Sequence, residues 1–191
     1  MITQPRIKDT AKENQIFSTI TDKFFNNGII YLNDNITNDT ADDVNQQILY
    51  LISNPPKNKT IKIYINSYGG NVYAGLSIYD MINQAKKKGF TIETVCVGVA
   101  MSMAAILLSS GTKGHRFSLP SSTIMLHQIS SGFYGKFKEI EIDYKETKRL
   151  QTLLDKIIKD NTESKIEVLL QNDEFYSAEE AIEDKIIDDI L

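Results

Sequence analysis

The sequence predicts an α/β fold, and three observations carry that prediction. Short β-branched runs alternate with period two, most clearly at residues 60–65, where Ile61, Ile63 and Ile65 alternate with Lys62 and Tyr64. Longer stretches between them place apolar residues at helical spacing, as Ala41, Val44, Ile48, Leu51 and Ile52 do. The two kinds of segment alternate along the chain, a pattern that calls for right-handed crossovers around a largely parallel sheet.

Taken in order, residues 1 to about 15 are polar, contain Pro5, Lys8, Lys12 and Glu13, and lack periodicity, so a mobile arm is expected there. Residues 29–32 read as a strand, and residues 39–53 as the helix whose apolar face was just named; Pro55 and Pro56 stop it. After the strand at 60–65, Asn66 to Gly70 turns into a helix from about Tyr73 to Lys87. A strand follows at 91–99, then a helix from Met103 to Leu108, then a strand at 122–126. Residues 139–160 carry Leu150, Leu153, Leu154, Ile157 and Ile158 at helical spacing and form one long amphipathic helix, whose charged residues read as a solvated face. Ser177 and Glu180 have the spacing of a capping box and open a short last helix.

The 191 residues, 41% hydrophobic and 24% charged, suffice for one core. A net charge of -4 argues against a nucleic-acid surface, since the basic clusters are as short as Lys86-Lys87-Lys88. The single cysteine, Cys96, lies in an apolar strand and reads as a buried reduced thiol, which fits a cytoplasmic protein. Neither a secretory segment nor a run long enough to span a bilayer is expected. The two histidines and the cysteine lack metal-ligand spacing.

Ser102 sits in Gly98-Val99-Ala100-Met101-Ser102-Met103-Ala104-Ala105, between the strand and the short apolar helix. A strand-to-helix turn of this kind exposes a serine hydroxyl beside unpaired backbone N–H groups that stabilise an oxyanion. The plainer reading makes Ser102 a helix N-cap. A nucleophilic serine needs a base, and His127, at the end of an apolar strand, is a better candidate than His115, in a polar loop. The plainer reading of His127 is a satisfied histidine at a strand end. A carboxylate must orient the imidazole, and the residues alone leave Asp155, Asp160, Asp173 and Asp184 open.

Several segments in order resemble the caseinolytic protease family, ClpP. They are Asn66-Ser67-Tyr68-Gly69-Gly70, Ala74-Gly75-Leu76-Ser77-Ile78-Tyr79-Asp80, the Ser102 motif, Lys113-Gly114-His115-Arg116-Phe117 with Leu119-Pro120-Ser121-Ser122, Met125-Leu126-His127-Gln128, and Asp173-Glu174-Phe175-Tyr176-Ser177-Ala178. The resemblance runs from about Gly28 to Leu191 and implies a ClpP/crotonase-like fold of repeated β-β-α units, with a helical handle at about 128–160 in a domain spanning 28–191 and a poorly matched arm at 1–27. It implies Ser102 as nucleophile, His127 as general base and Asp173 as its orienting acid, with the backbone N–H groups of Gly70 and Met103 forming the oxyanion hole. It further implies a serine endopeptidase that degrades unfolded polypeptides inside heptameric rings stacked as a tetradecamer. A Clp-type AAA+ unfoldase would feed it and use the ATP, because this chain has no phosphate-binding loop of its own and needs no cofactor. Apolar side chains are the expected cleavage preference.

The pattern departs from the family in places. Tyr68 stands where a proline is usual, Lys185 where a glycine is common, and a few residues are added around 86–90 and missing between 162 and 173. Gln171-Asn172 stands where the family has an arginine that helps join two rings, so a weaker ring-to-ring contact is expected. Rival readings are a non-catalytic ring subunit, a crotonase-superfamily relative that stabilises thioester enolates, and a protease that works without an unfoldase.

Overall fold

A computed structural model describes residues 6–8, 17–162 and 173–191. The chain begins with β1 (Arg6–Lys8) paired antiparallel to β2 (Phe17–Thr19), followed by α1 (Ile20–Asn26). Then come β3 (Ile29–Leu32), α2 (Asn38–Ser53), β4 (Thr60–Ser67), α3 (Val72–Lys87), β5 (Thr91–Met101) and α4 (Met103–Ser109). The C-terminal half adds β6 (Arg116–Ser118), β7 (Thr123–Leu126), α5 (Phe137–Thr162), β8 (Glu174–Tyr176), α6 (Ala178–Glu183) and β9 (Asp189–Ile190). The α/β expectation therefore holds, and the sheet is mixed, with one antiparallel pairing at β8.

The strand order β3-β4-β5-β6-β9 is parallel throughout, and β7 joins β5 on a separate branch that ends in β8. The branch exists because β5 changes partners along its length. Thr94 to Cys96 pair with β6, whereas Val99 to Met101 pair with β7. Between the two halves Gly98 takes φ +90, and side chains fill the broken ladder: Ser122 Oγ accepts from Gly98 N–H at 3.0 Å and Asn66 Oδ1 accepts from Val99 N–H at 3.3 Å. The register of β4 against β5 shifts at the same level, between Ile65 and Ser67. Each unit thus has a first strand in the main sheet and a second short one beyond it; in the first two units Ile36 and Gly70 play the second part, joined by a parallel bridge.

The helical faces read from the sequence are the buried ones. Ala41, Val44, Ile48 and Leu51 of α2 pack into the same core as Ile61, Ile63 and Ile65 of β4, and so do Leu154, Ile157 and Ile158 of α5. α5 is the long helix expected at 139–160, and Ser177 caps α6 through the expected box, its Oγ accepting from Glu180 N–H at 3.2 Å while Glu180 Oε2 accepts from Ser177 N–H at 2.8 Å.

Other expectations need correction. The segment expected to be an arm contains the paired strand β1, and α1 follows with its own capping box between Thr19 and Asp22. Part of the expected arm, with Pro5, Lys12 and Glu13, lies outside the described residues, as does Gln171-Asn172. The added residues near 86–90 fall partly within the last turn of α3 rather than wholly in a loop. β6, β8 and β9, of three, three and two residues, are too short to show a period. Arg116 of β6 anchors that end of the sheet. Its guanidinium is buried, donates to both oxygens of Asp188 through Nε (2.9 Å) and a terminal nitrogen (2.5 Å), and gives its other terminal nitrogen to the Asn161 carbonyl at 2.9 Å.

Candidate active site

Four neighbouring strands, β4, β5, β7 and β8, bring the sequence-selected residues to one edge. In a parallel sheet the carboxyl ends of the strands and the turns that follow them share a side, which is where such folds assemble sites. β4 runs into Gly69-Gly70, β5 into Ser102 and β7 into His127, while β8 runs the opposite way and so presents Asp173, just before its start, at the same edge. His115 is at the far end, where its carbonyl accepts from Thr94 N–H near the start of β5.

Ser102 has φ 54 and ψ -125, a conformation that serine rarely adopts. It is held by its N–H bonding to the Met125 carbonyl at 2.8 Å and by its own carbonyl accepting the first turn of α4 from Ala105. Ser102 thus holds the N-cap position of α4, but its side chain makes no capping bond to the helix. Its Oγ lies 2.8 Å from His127 Nε2 instead. The register Met101↔Met125 accounts for this proximity: it puts Ser102 one residue and His127 two residues beyond a shared ladder rung.

On the other ring nitrogen, His127 Nδ1 lies 3.6 Å from Asp173 Oδ1. That is an ion-pair distance and too long for a hydrogen bond. The Asp173 side chain is 63% exposed against 24% for His127, so water screens the contact. Of the remaining aspartates left open by the sequence, Asp155 lines the same cleft, Asp160 lines a separate groove between α3 and α5, and Asp184 closes the C-terminal end of α6.

Gly69 and Gly70 have φ +88 and +149, which side chains rarely adopt. Gly69 lies against the serine turn: a Cβ there would come 2.6 Å from the Met101 carbonyl oxygen and 2.8 Å from Ser102 Cβ. The bridge to Ile36 uses Gly69 O as acceptor and Asn71 N–H as donor, both at 2.8 Å, and this alternation turns the Gly70 N–H to the opposite side. There Gly70 and Met103, the first residue of α4, line a cleft of about 240 Å³ with Ser102 and His127. Both residues expected to supply the donors thus line the cleft with the serine. Tyr68, in the usual proline position, is exposed at the cleft rim, and Lys185 takes φ 56, the conformation for which glycine is common.

Sequence reasoning did not find the far wall of the cleft. Gln151, Leu154, Asp155 and Ile158 of α5 face Ile106 and Met125 across it. Their spacing of three, one and three residues was the available signal, since it marks one helical stripe. Among the described residues no cluster of three or more His, Cys, Asp or Glu could hold a metal ion, and no helix is long and apolar enough to cross a membrane. A model of the Clp protease family matches residues 11–191, starting upstream of the point where the resemblance was first legible. The chain belongs to the Clp protease family, a family of serine peptidases.

Proposed function

We propose that this chain is a serine endopeptidase in which Ser102 is the nucleophile, His127 the general base and Asp173 the group that orients it. The observation that carries the reading is the 2.8 Å approach of Ser102 Oγ to His127 Nε2 on a backbone held at positive φ. Ser102 Oγ attacks the scissile carbonyl carbon as its proton passes to His127 Nε2. The resulting oxyanion takes hydrogen bonds from the N–H groups of Gly70 and Met103. His127 then protonates the leaving amine; water, deprotonated by His127, attacks the acyl carbon, and His127 returns that proton to Ser102 Oγ as the acid product leaves. Nothing in this sequence of steps calls for a cofactor.

Family membership supports a ring-forming assembly in general. The specific reading is a cytoplasmic double heptameric ring that degrades unfolded polypeptides supplied by an AAA+ unfoldase, with ATP consumed by that partner. The domain would span 28–191, preceded by the segment 1–27. The non-catalytic ring subunit stands as the second reading, favoured by one observation, the 3.6 Å gap between His127 and a mostly exposed Asp173.

Intact mass after treatment with a fluorophosphonate separates the two, with oligomer size recorded in the same samples. Wild-type protein is expected to gain one adduct per chain, lost in Ser102→Ala and in His127→Ala and slowed in Asp173→Asn. An assembled wild-type ring that gains no adduct overturns the peptidase reading.

A further inference from the structure

The cleft beside Ser102 has apolar walls and one carboxylate. Ile106, Met125, Leu154 and Ile158 supply the walls, and Asp155 and Gln151 interrupt them from the α5 stripe. Gln151 is fixed at both ends of its amide: Oε1 accepts from Ile129 N–H at 2.7 Å and Nε2 donates to Asp155 Oδ1 at 2.7 Å. Ile129 lies two residues after His127, so this chain of bonds ties the Asp155 carboxylate to the segment that carries the base. One oxygen of Asp155 is engaged by the amide. Its other oxygen has no protein donor among the described residues, and no lysine or arginine lines the cleft.

We propose that Asp155 makes this cleft select substrates with lysine or arginine immediately before the scissile bond, which departs from the apolar preference expected from the family resemblance. The proposal rests on the reading of Ser102 as nucleophile. A long basic side chain matches the cleft in both of its parts, because its methylene stem covers apolar walls while its head reaches a carboxylate. An uncharged side chain of the same length buries the same stem but leaves the Asp155 oxygen unpaired where solvent is displaced, and an acidic one meets a like charge.

The neighbouring part of the groove adds to the preference. Asp143 and Glu146 line it, and among the described residues its lining holds no lysine or arginine. Glu146 is already neutralised: Arg149 donates to both its oxygens at 2.7 and 2.8 Å and Tyr73 donates to one at 2.8 Å, which together hold its carboxyl down at about 2. Asp143 has no such partner among the described residues, so the groove leading to Ser102 carries unneutralised negative charge at Asp143 and Asp155. That arrangement draws in a basic substrate segment and repels an acidic one.

The test uses the full-length assembled protein and two peptidyl phosphonate diphenyl esters that differ only at the side chain before the reactive centre, lysine in one and norleucine in the other. Each reports the rate of covalent capture by intact mass, and a fluorophosphonate without a peptide part reports whether Ser102 reacts. The lysine reagent is expected to react about tenfold or more faster than the norleucine reagent in the wild type, and Asp155→Asn to remove most of that ratio. Asp155→Lys is expected to shift preference toward a glutamate reagent. Equal rates in the wild type, a ratio unchanged in Asp155→Asn, or failure of both peptide reagents on a chain that the fluorophosphonate labels each overturns the selectivity. Absence of fluorophosphonate labelling overturns the nucleophile itself, a separate failure.

Discussion

Gly69→Ala tests whether the glycine turn after β4 sets the position of the serine. Gly69 is buried at φ +88, and the nearest obstacles to a Cβ are the Met101 carbonyl oxygen at 2.6 Å, Ser102 Cβ at 2.8 Å and Met103 N at 3.0 Å. None is the free end of a long side chain. Two costs arise. Holding alanine at this φ costs about 1–2 kcal/mol. Relieving the closest contact to ordinary distance requires a shift of about 0.8 Å, which the turn or the serine backbone must absorb. If the serine moves, its 2.8 Å bond to His127 lengthens beyond hydrogen-bond range, and misplacement by that much costs roughly 10²-fold in rate. Gly89→Ala is the control: its φ is +82 and a Cβ there meets nothing within 4 Å, so it carries the strain without the collision. Urea unfolding and the fluorophosphonate labelling rate are measured on both. Both variants are expected to lose comparable stability from strain, with Gly69→Ala alone losing labelling about a hundredfold. A folded Gly69→Ala protein that labels within about twofold of the control would refute the claim that this contact places Oγ.

Asp188→Asn is expected to destabilise the fold by about 3 kcal/mol in urea titration, because it leaves the buried Arg116 guanidinium without its counter-charge. The same pair predicts acid sensitivity. Burial raises the Asp188 carboxyl, but hydrogen bonds and charge from Arg116, with help from the Gly114 N–H, outweigh it and hold the group below its ordinary value. Its contribution is thus complete above about pH 4 and is lost as pH falls through the lowered value, so the wild-type unfolding midpoint should drop there more steeply than that of Asp188→Asn; parallel curves would sink this account. Burial pushes the Cys96 thiol up to about 11, so iodoacetamide at pH 8 should modify it in urea and leave the native chain untouched, whereas rapid native labelling would contradict the packing around it.

The residues that could be read in the sequence are those whose signal is local and repeated. The period of Ile61, Ile63 and Ile65 survives in the structure because a strand buries alternate positions against the helices, and all three are buried. The Ser102 turn was legible as a junction between two periods, yet its φ of 54 was not, since positive φ is ordinarily signalled by glycine or asparagine and serine gives no such mark. Arg116 and Asp188 lie 72 positions apart and meet only because β6 and β9 are neighbours, a pairing that no local pattern encodes. α1 could have been found from Thr19 and Asp22, whose spacing is that of a capping box. The place of Gln151 and Asp155 in the cleft wall was not legible for another reason. A polar residue on a helix facing an aqueous cleft has the same composition signature as one facing bulk solvent, and what separates them is which element lies opposite.

The same strand order that gathers the site also grades how firmly its members are held. Ser102 follows the long strand β5, which has partners on both sides, and its own N–H is bonded to Met125. His127 follows β7, which lies between β5 and β8. Asp173 precedes β8, a strand of three residues whose one partner among the described residues is β7. The distances follow that gradient, 2.8 Å between serine and histidine and 3.6 Å between histidine and aspartate. Catalytic hydrogen bonds in unliganded sites often tighten when substrate binds, and the longer contact here is the one to the aspartate. Substrate that covers the cleft mouth would remove water from around Asp173 and strengthen its attraction for the imidazolium that forms during attack. On the proposed reading, the sheet sets the nucleophile and the base in advance, and the orienting carboxylate, beside the short strand β8, is the member held at the greater distance.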